Sequence, residues 1–178
     1  MLNLDKIILR GSQVDLFPMS LEYVNENYLH WLSDPEITRF ISAIYTDISG
    51  LQRYVQQRMD DPNVCFWAIC DRNSGQHIGN VKLEPINRKD LRATFGILIG
   101  NHNYWGRGIC TEVTRLVSDY AFGELKLIKV DLGVSEDNQA AIRAYEKAGF
   151  HREGTLKRHQ LVHNRMIDVV LMAKFTEL

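Results

Sequence analysis

The period of the apolar positions changes along the chain. Residues 7–18 alternate at Val14 and Leu16 up to Pro18 and predict a strand. Ser20 stands where it can cap a helix in which Leu21, Val24, Tyr28, Leu29, Trp31 and Leu32 recur at helical spacing. Residues 33–36 predict a turn opening a short segment with Ile37, Phe40 and Ile41 apolar. Thr46, Asp47 or Ser49 then caps a helix bearing Leu51, Tyr54, Val55 and Met59. Beyond residue 64 the chain changes character, and apolar strand-like runs at 64–70, 77–84 and 90–99 joined by short turns predict an antiparallel meander. A helical pattern at 111–122 and a strand at 127–134 add one strand-helix-strand unit, which should be parallel and right-handed. Residues 135–138 cap a further helix through Ala141, Ile142, Tyr145 and Ala148, with Gly149 as its stop. Two tail strands follow, at 150–161 and 166–175. With no linker, repeat or low-complexity segment, residues 1–178 read as one α+β domain around a mixed sheet, antiparallel in its N-terminal half with one parallel crossover.

The junction at 100–112 is where chemistry is first expected. The β-branched run at 93–100 feeds into it, the helical pattern leaves it, and Gly106 and Gly108 lie between. The first amides of a helix have no intrahelical partners and carry the positive end of its dipole, so such a junction can bind phosphate. Glycine is required there because a Cβ would obstruct the approach of an anion to the main chain. A Gly-x-Gly after a strand is also an ordinary tight turn, and this pattern alone does not choose between the two.

Composition narrows the function classes. The 178 residues suffice for one packed core, and 45% hydrophobic with 24% charged residues is ordinary for a globular protein. No apolar run approaches the roughly 20 residues of a membrane span, and the first residues lack a basic-then-apolar signal pattern, so no membrane association and a cytoplasmic location are expected. With 21 basic and 22 acidic residues the net charge of −1 gives no bulk mark of a nucleic-acid binder. Cys65, Cys70 and Cys110 lack Cys-x-x-Cys spacing, and His159 and His163 sit in strand-like sequence, so neither disulfide nor metal site is expected.

Two motifs, in order, carry a family likeness. Trp105-Gly-Arg-Gly-Ile-Cys110 aligns with the pattern Gln/Arg-x-x-Gly-x-Gly/Ala, and Asn138-Gln-Ala-Ala-Ile-Arg-Ala-Tyr-Glu-Lys-Ala-Gly-Phe150 with Asn-x-x-Ala-x-x-x-Tyr-x-x-x-Gly-Phe. In these the chain resembles the GNAT superfamily of acetyl-CoA-dependent N-acetyltransferases. The stretch 31–40, the tail at 153–157 and Ile167-Asp168 are similar to its Rim-type branch, the ribosomal-protein acetyltransferases. Trp105 departs from Gln/Arg, Cys110 replaces Gly or Ala, and Thr94 stands where many relatives place a Glu.

The resemblance implies a V-shaped splay between the two central strands, with helices flanking the sheet and acetyl-CoA in the gap. Pantetheine would pair with the backbone of Ile97, Leu98 and Ile99. The pyrophosphate would accept from amides of Trp105, Gly106, Arg107, Gly108, Ile109 and Cys110, Asn138 would meet the pantetheine arm, and Arg143 or Lys147 the nucleotide phosphates. A primary amine would attack the thioester directly in a ternary complex, with Tyr145 as general acid to the leaving thiolate. Glu84, Glu136 or a water chain would take the ammonium proton. Trp31, Phe40 and Tyr45 read either as core aromatics or as walls of an acceptor pocket. The acceptor would be a protein N-terminus or small amine, or alternatively a nucleotide-linked amino sugar; a non-catalytic acyl-CoA-binding module is the reading of another class. By likeness the chain would be a monomer or a homodimer.

Overall fold

The computed structural model describes residues 7–41 and 45–176. Eight strands among them form one mixed sheet in the order β1-β2-β3-β4-β5-β6-β8-β7. The strand expected at 7–18 is two, because residues 11–13 turn: β1 (Leu9–Arg10) pairs antiparallel with β2 (Val14–Pro18). The meander follows as β3 (Cys65–Asp71), β4 (His77–Asn87) and β5 (Arg92–Ile99), each antiparallel to the last. The crossover through α4 (Ile109–Gly123) brings β6 (Lys129–Ser135) parallel to β5, as expected for a strand-helix-strand unit. After α5 (Gln139–Lys147), β7 (His151–Val162) forms the sheet edge and β8 (Arg165–Phe175) inserts between it and β6.

Alternation along β3 divides two apolar layers. Cys65, Trp67 and Ile69 face a core completed by Val113 and Val117 of α4 and Ile142 and Tyr145 of α5. Ala68 and Cys70 face a second core built from α1 (Glu26–Ser33), α2 (Pro35–Thr38) and α3 (Ile48–Met59). Each fully buried aliphatic side chain contributes about 1.5–3 kcal/mol, so this two-sided burial sets the register of the central strands.

Cap chemistry decides the helix starts. Ser20 opens only a single 3-10 turn, Leu21–Tyr23, without a side-chain cap bond. The α-helix begins later because Asn25 accepts from the amides of Asn27 and Tyr28. Asp34 and Asp47 cap α2 and α3 in the same way. Gly100 lets α1 close on the sheet, since a Cβ there would fall 2.0 Å from the Trp31 ring.

Candidate functional site

Strands β5 and β6 share only three rungs, Arg92↔Lys129, Ala93↔Val130 and Thr94↔Asp131. Beyond Thr94 they part, β5 staying with β4 as far as Gly79↔Ile99 and β6 with β8 as far as Ser135↔Val169. The gap is the expected V, with Thr94 and Asp131 at its vertex. Gly100 N–H donates to the Ile78 carbonyl, so by the period of two the backbone groups of Ile97 and Ile99 face the gap. Leu98, expected with them, turns its backbone toward β4 and its side chain into the α1–α3 core. The Ile99 carbonyl already accepts from the Trp105 indole N–H at 2.9 Å. Trp105 is therefore a brace between the end of β5 and the loop, stacked on His102 with ring centroids 4.2 Å apart.

The loop after β5 has the form an anion needs. Gly106 and Gly108 lie at φ +72° and +82°, and a Cβ at either meets no heavy atom within 4 Å, so both open outward. Gly108 is the N-cap of α4 and supplies no side-chain cap, and Glu112 is the residue whose amide returns to the Gly108 carbonyl. The amides of Ile109, Cys110 and Thr111 thus precede the first intrahelical bond and stand at the positive end of a 15-residue helix. Arg107 is exposed with its guanidinium 5.5 Å from the Tyr104 ring, and Arg143 and Lys147 are exposed on α5.

Glu112 went unnoticed in the sequence because its partners lie about one hundred residues earlier. Its carboxylate accepts from the Ser12 and Gln13 amides at 2.6 and 2.9 Å and from both their side chains at 3.0 Å. Burial alone would raise its pKa, but these hydrogen bonds from Gln13 and Ser12 outweigh it and hold the carboxyl below its ordinary value. They clamp the β1–β2 turn onto the start of α4, and only Gly11 fits beneath, since a Cβ there would lie 2.2 Å from Glu112 Oε1.

Across the gap, Asn138 caps α5 by accepting from the Ala141 amide at 3.1 Å, so any contact with a bound arm falls to its Nδ2. Thr111 Oγ1 donates to the Ala144 carbonyl at 3.2 Å and fixes α5 beside α4. Tyr145 then lies 8% exposed, edge-on to Phe95 with ring centroids 6.1 Å apart. Burial first and the neighbouring Cys110 second push its phenol well above the ordinary value, so it is protonated at neutral pH. Burial also pushes the Cys110 thiol up to about 11, which suits packing rather than nucleophilic chemistry.

The other expected residues are scattered. Glu84 lies on the α3 side of the sheet, bonded to Lys82 Nζ and 3.2 Å from Arg58 Nε, so it serves as counter-ion to two cations. Lys82 Nζ also reaches the Tyr54 hydroxyl at 3.0 Å, and Tyr45 packs on Tyr54 with centroids 5.0 Å apart. Glu136, at the end of β6, lies 3.5 Å from Lys157. Trp31 is a core residue, 7% exposed and packed on Tyr28 and His77, whereas Phe40 is half-buried under Arg39. No helix among the described residues is long and apolar enough to cross a membrane.

A splayed pair of parallel strands with an uncapped glycine loop at its open end defines a class of phosphate-bearing cofactor binders. The family model described as Acetyltransferase (GNAT) domain matches residues 14–151. The probable N-acetyltransferase YjcK of Bacillus subtilis is 30% identical, over 93% of this chain and 96% of its own. Spermidine N(1)-acetyltransferase of Escherichia coli K12 is 31% identical, over 82% and 72% respectively. Among solved structures, the spermidine N-acetyltransferase from Vibrio cholerae in complex with CoA and spermine matches with a TM-score of 0.82 at 25% identity, covering 93% of this chain and 96% of that one. The chain belongs to the GNAT family of acetyltransferases and is an enzyme of that family.

Proposed function

We propose that the protein transfers the acetyl group of acetyl-CoA to a primary amine by direct attack in a ternary complex. The uncapped start of α4, open at Gly106 and Gly108 beside a splayed sheet, carries this reading. The Trp105 amide, expected in the set, already donates to the His102 carbonyl at 3.0 Å, so the pyrophosphate accepts from the amides of residues 106–111, and the pantetheine arm pairs with the backbone of Ile97 and Ile99, completing strand-like bonds that β6 leaves open. Holding amine and thioester in one cleft supplies much of the rate. A cleft-facing amide of β5 meets the developing oxyanion. Departure of the thiolate then draws a proton from Tyr145, whose buried phenol keeps it until that moment. The acceptor enters from the side of α1 and α3, where Tyr45, Tyr54 and Lys82 line the approach. Likeness to the Rim-type branch favours a protein N-terminus, the missing vertex glutamate and near-neutral charge leave room for a small amine, and the spermidine acetyltransferases among its relatives put polyamines in the same test.

Thiol release from acetyl-CoA is measured against N-terminal peptides, polyamines, aminoglycosides and nucleotide-linked amino sugars. Turnover on one of them is expected, with Tyr145→Phe lowering kcat about 100-fold and leaving CoA affinity unchanged. Full activity in Tyr145→Phe sinks its role as acid. Tight CoA binding with no turnover on any amine sinks the enzymatic reading in favour of an acyl-CoA-binding module.

A further inference from the structure

A protonated amine cannot attack a thioester, so a transferase working near neutral pH on an alkyl amine of pKa about 10, or an α-amine of about 8, must first remove a proton. Two carboxylates flank the vertex of the V on the α1–α3 side, Glu84 on β4 and Asp131 on β6. Glu84 is ion-paired with both Lys82 and Arg58. Asp131 is held differently. Its Oδ1 accepts from Thr94 Oγ1 at 2.7 Å across the last shared rung, and its Oδ2 lies 3.3 Å from Arg92. Exposure does not separate the two, at 21% for Glu84 and 22% for Asp131; what does is that Asp131 faces one cation instead of two and takes its orientation from the Thr94 hydroxyl.

We infer that Asp131, oriented by Thr94, accepts the ammonium proton of the acceptor directly or through one water. This rests on the reaction proposed above and deepens it. Thr94 is the position at which the sequence likeness leads one to expect a carboxylate, and the neighbouring strand presents one within hydrogen-bonding distance of it. At about 3.4 Å per residue, Thr94 stands about 10 Å along β5 from the Ile97 amide, room for an amine nitrogen and a water between. The proton passes from the ammonium to the Asp131 carboxylate, and the freed lone pair attacks the thioester carbonyl. The C–S bond then breaks as Tyr145 protonates the sulfur. Asp131 later returns its proton to water, and the phenolate takes up the proton shed by the new amide nitrogen.

The charged and titratable groups that face this position are Arg92 on β5, the Lys129–Glu153 pair from β6 and β7, and His151, which shares the rung of Ala173 and Asp131. Beyond Thr94 lies the Glu84, Lys82 and Arg58 group. Variants at Asp131, Glu153 and His151 separate their contributions.

The test follows kcat/KM against pH for whichever amine of the panel the native enzyme acetylates fastest. Native enzyme is expected to stay nearly level from about pH 6.5 to 8, whereas Asp131→Asn falls about 100-fold at the acid end and gains about tenfold per pH unit, tracking free amine. Thr94→Val, which removes only the orienting hydroxyl, shows a smaller loss of the same form. Thr94→Glu placed in the Asp131→Asn background restores a carboxylate to the vertex and most of the low-pH rate. His151→Gln and Glu153→Gln leave the profile unchanged. Calorimetric CoA binding in each variant separates misfolding from lost chemistry. A native rate and profile in Asp131→Asn overturns the assignment while leaving the acetyltransferase reading intact. Failure of the native enzyme on every amine overturns both.

Discussion

Replacing Gly108 by alanine separates what the loop does for the fold from what it does for a ligand. The residue lies at φ +82°, where an L side chain costs about 1–2 kcal/mol, and a Cβ there meets nothing within 4 Å. The folded protein therefore loses that backbone energy and no packing, which for a chain of this length lowers Tm by about 2–8 °C. Bound phosphate faces a different situation, because the methyl points into the space from which the amides at the start of α4 are reached. Losing one charge-assisted hydrogen bond, at about 1.5–3 kcal/mol, weakens CoA about 10- to 100-fold. Gly75→Ala provides the control. It sits in the β3–β4 turn at φ +71°, also with nothing within 4 Å, and should show the same drop in Tm with native CoA affinity. The assay is calorimetric titration with CoA beside a thermal scan of both variants. Equal CoA affinity in Gly108→Ala and Gly75→Ala would refute the assignment of the loop as the phosphate site.

Further outcomes follow from the packing. Glu112 has its folded pKa depressed, so it adds stability that is fully present above the ordinary carboxylate range and is lost as pH falls through the lower folded value. Acid titration of Tm should accordingly be steeper in native protein than in Glu112→Gln, and parallel curves would discount the clamp. Gly100→Ala drives a methyl into the Trp31 ring, and a fall in stability of at least about 3 kcal/mol in urea is expected; a loss under about 1 kcal/mol would show that α1 is free to move. Cys110, with its thiol raised to about 11, should react slowly with iodoacetamide at pH 8. Fast labelling there would contradict the raised thiol pKa.

Much of this architecture was legible in residue order because it rests on local rules. Apolar and β-branched runs between turn residues placed β3 to β8 within a few residues, and the two glycines marked the end of β5 and the start of α4, since positive φ is a local demand. Asn138 as a helix cap and Tyr145 on the helix after it were locally legible, but the roles assigned to them came with the motif's family resemblance, not with spacing. Caps were less so: Ser20 and Asn25 are both good N-caps, and only the seating of Tyr28 and Trp31 on the sheet chose the second. What the tertiary structure alone decided is what depends on register. Whether Leu98 or its neighbours face the gap follows from the pairing of β5 with β4, one residue of slip reversing every direction. Glu84 was a plausible base until α3 set Arg58 against it. Asp131 meets Thr94, and Glu112 meets Ser12 and Gln13, across 37 and about a hundred residues of chain. Such pairs leave no periodic trace, because only the folded sheet brings the partners together.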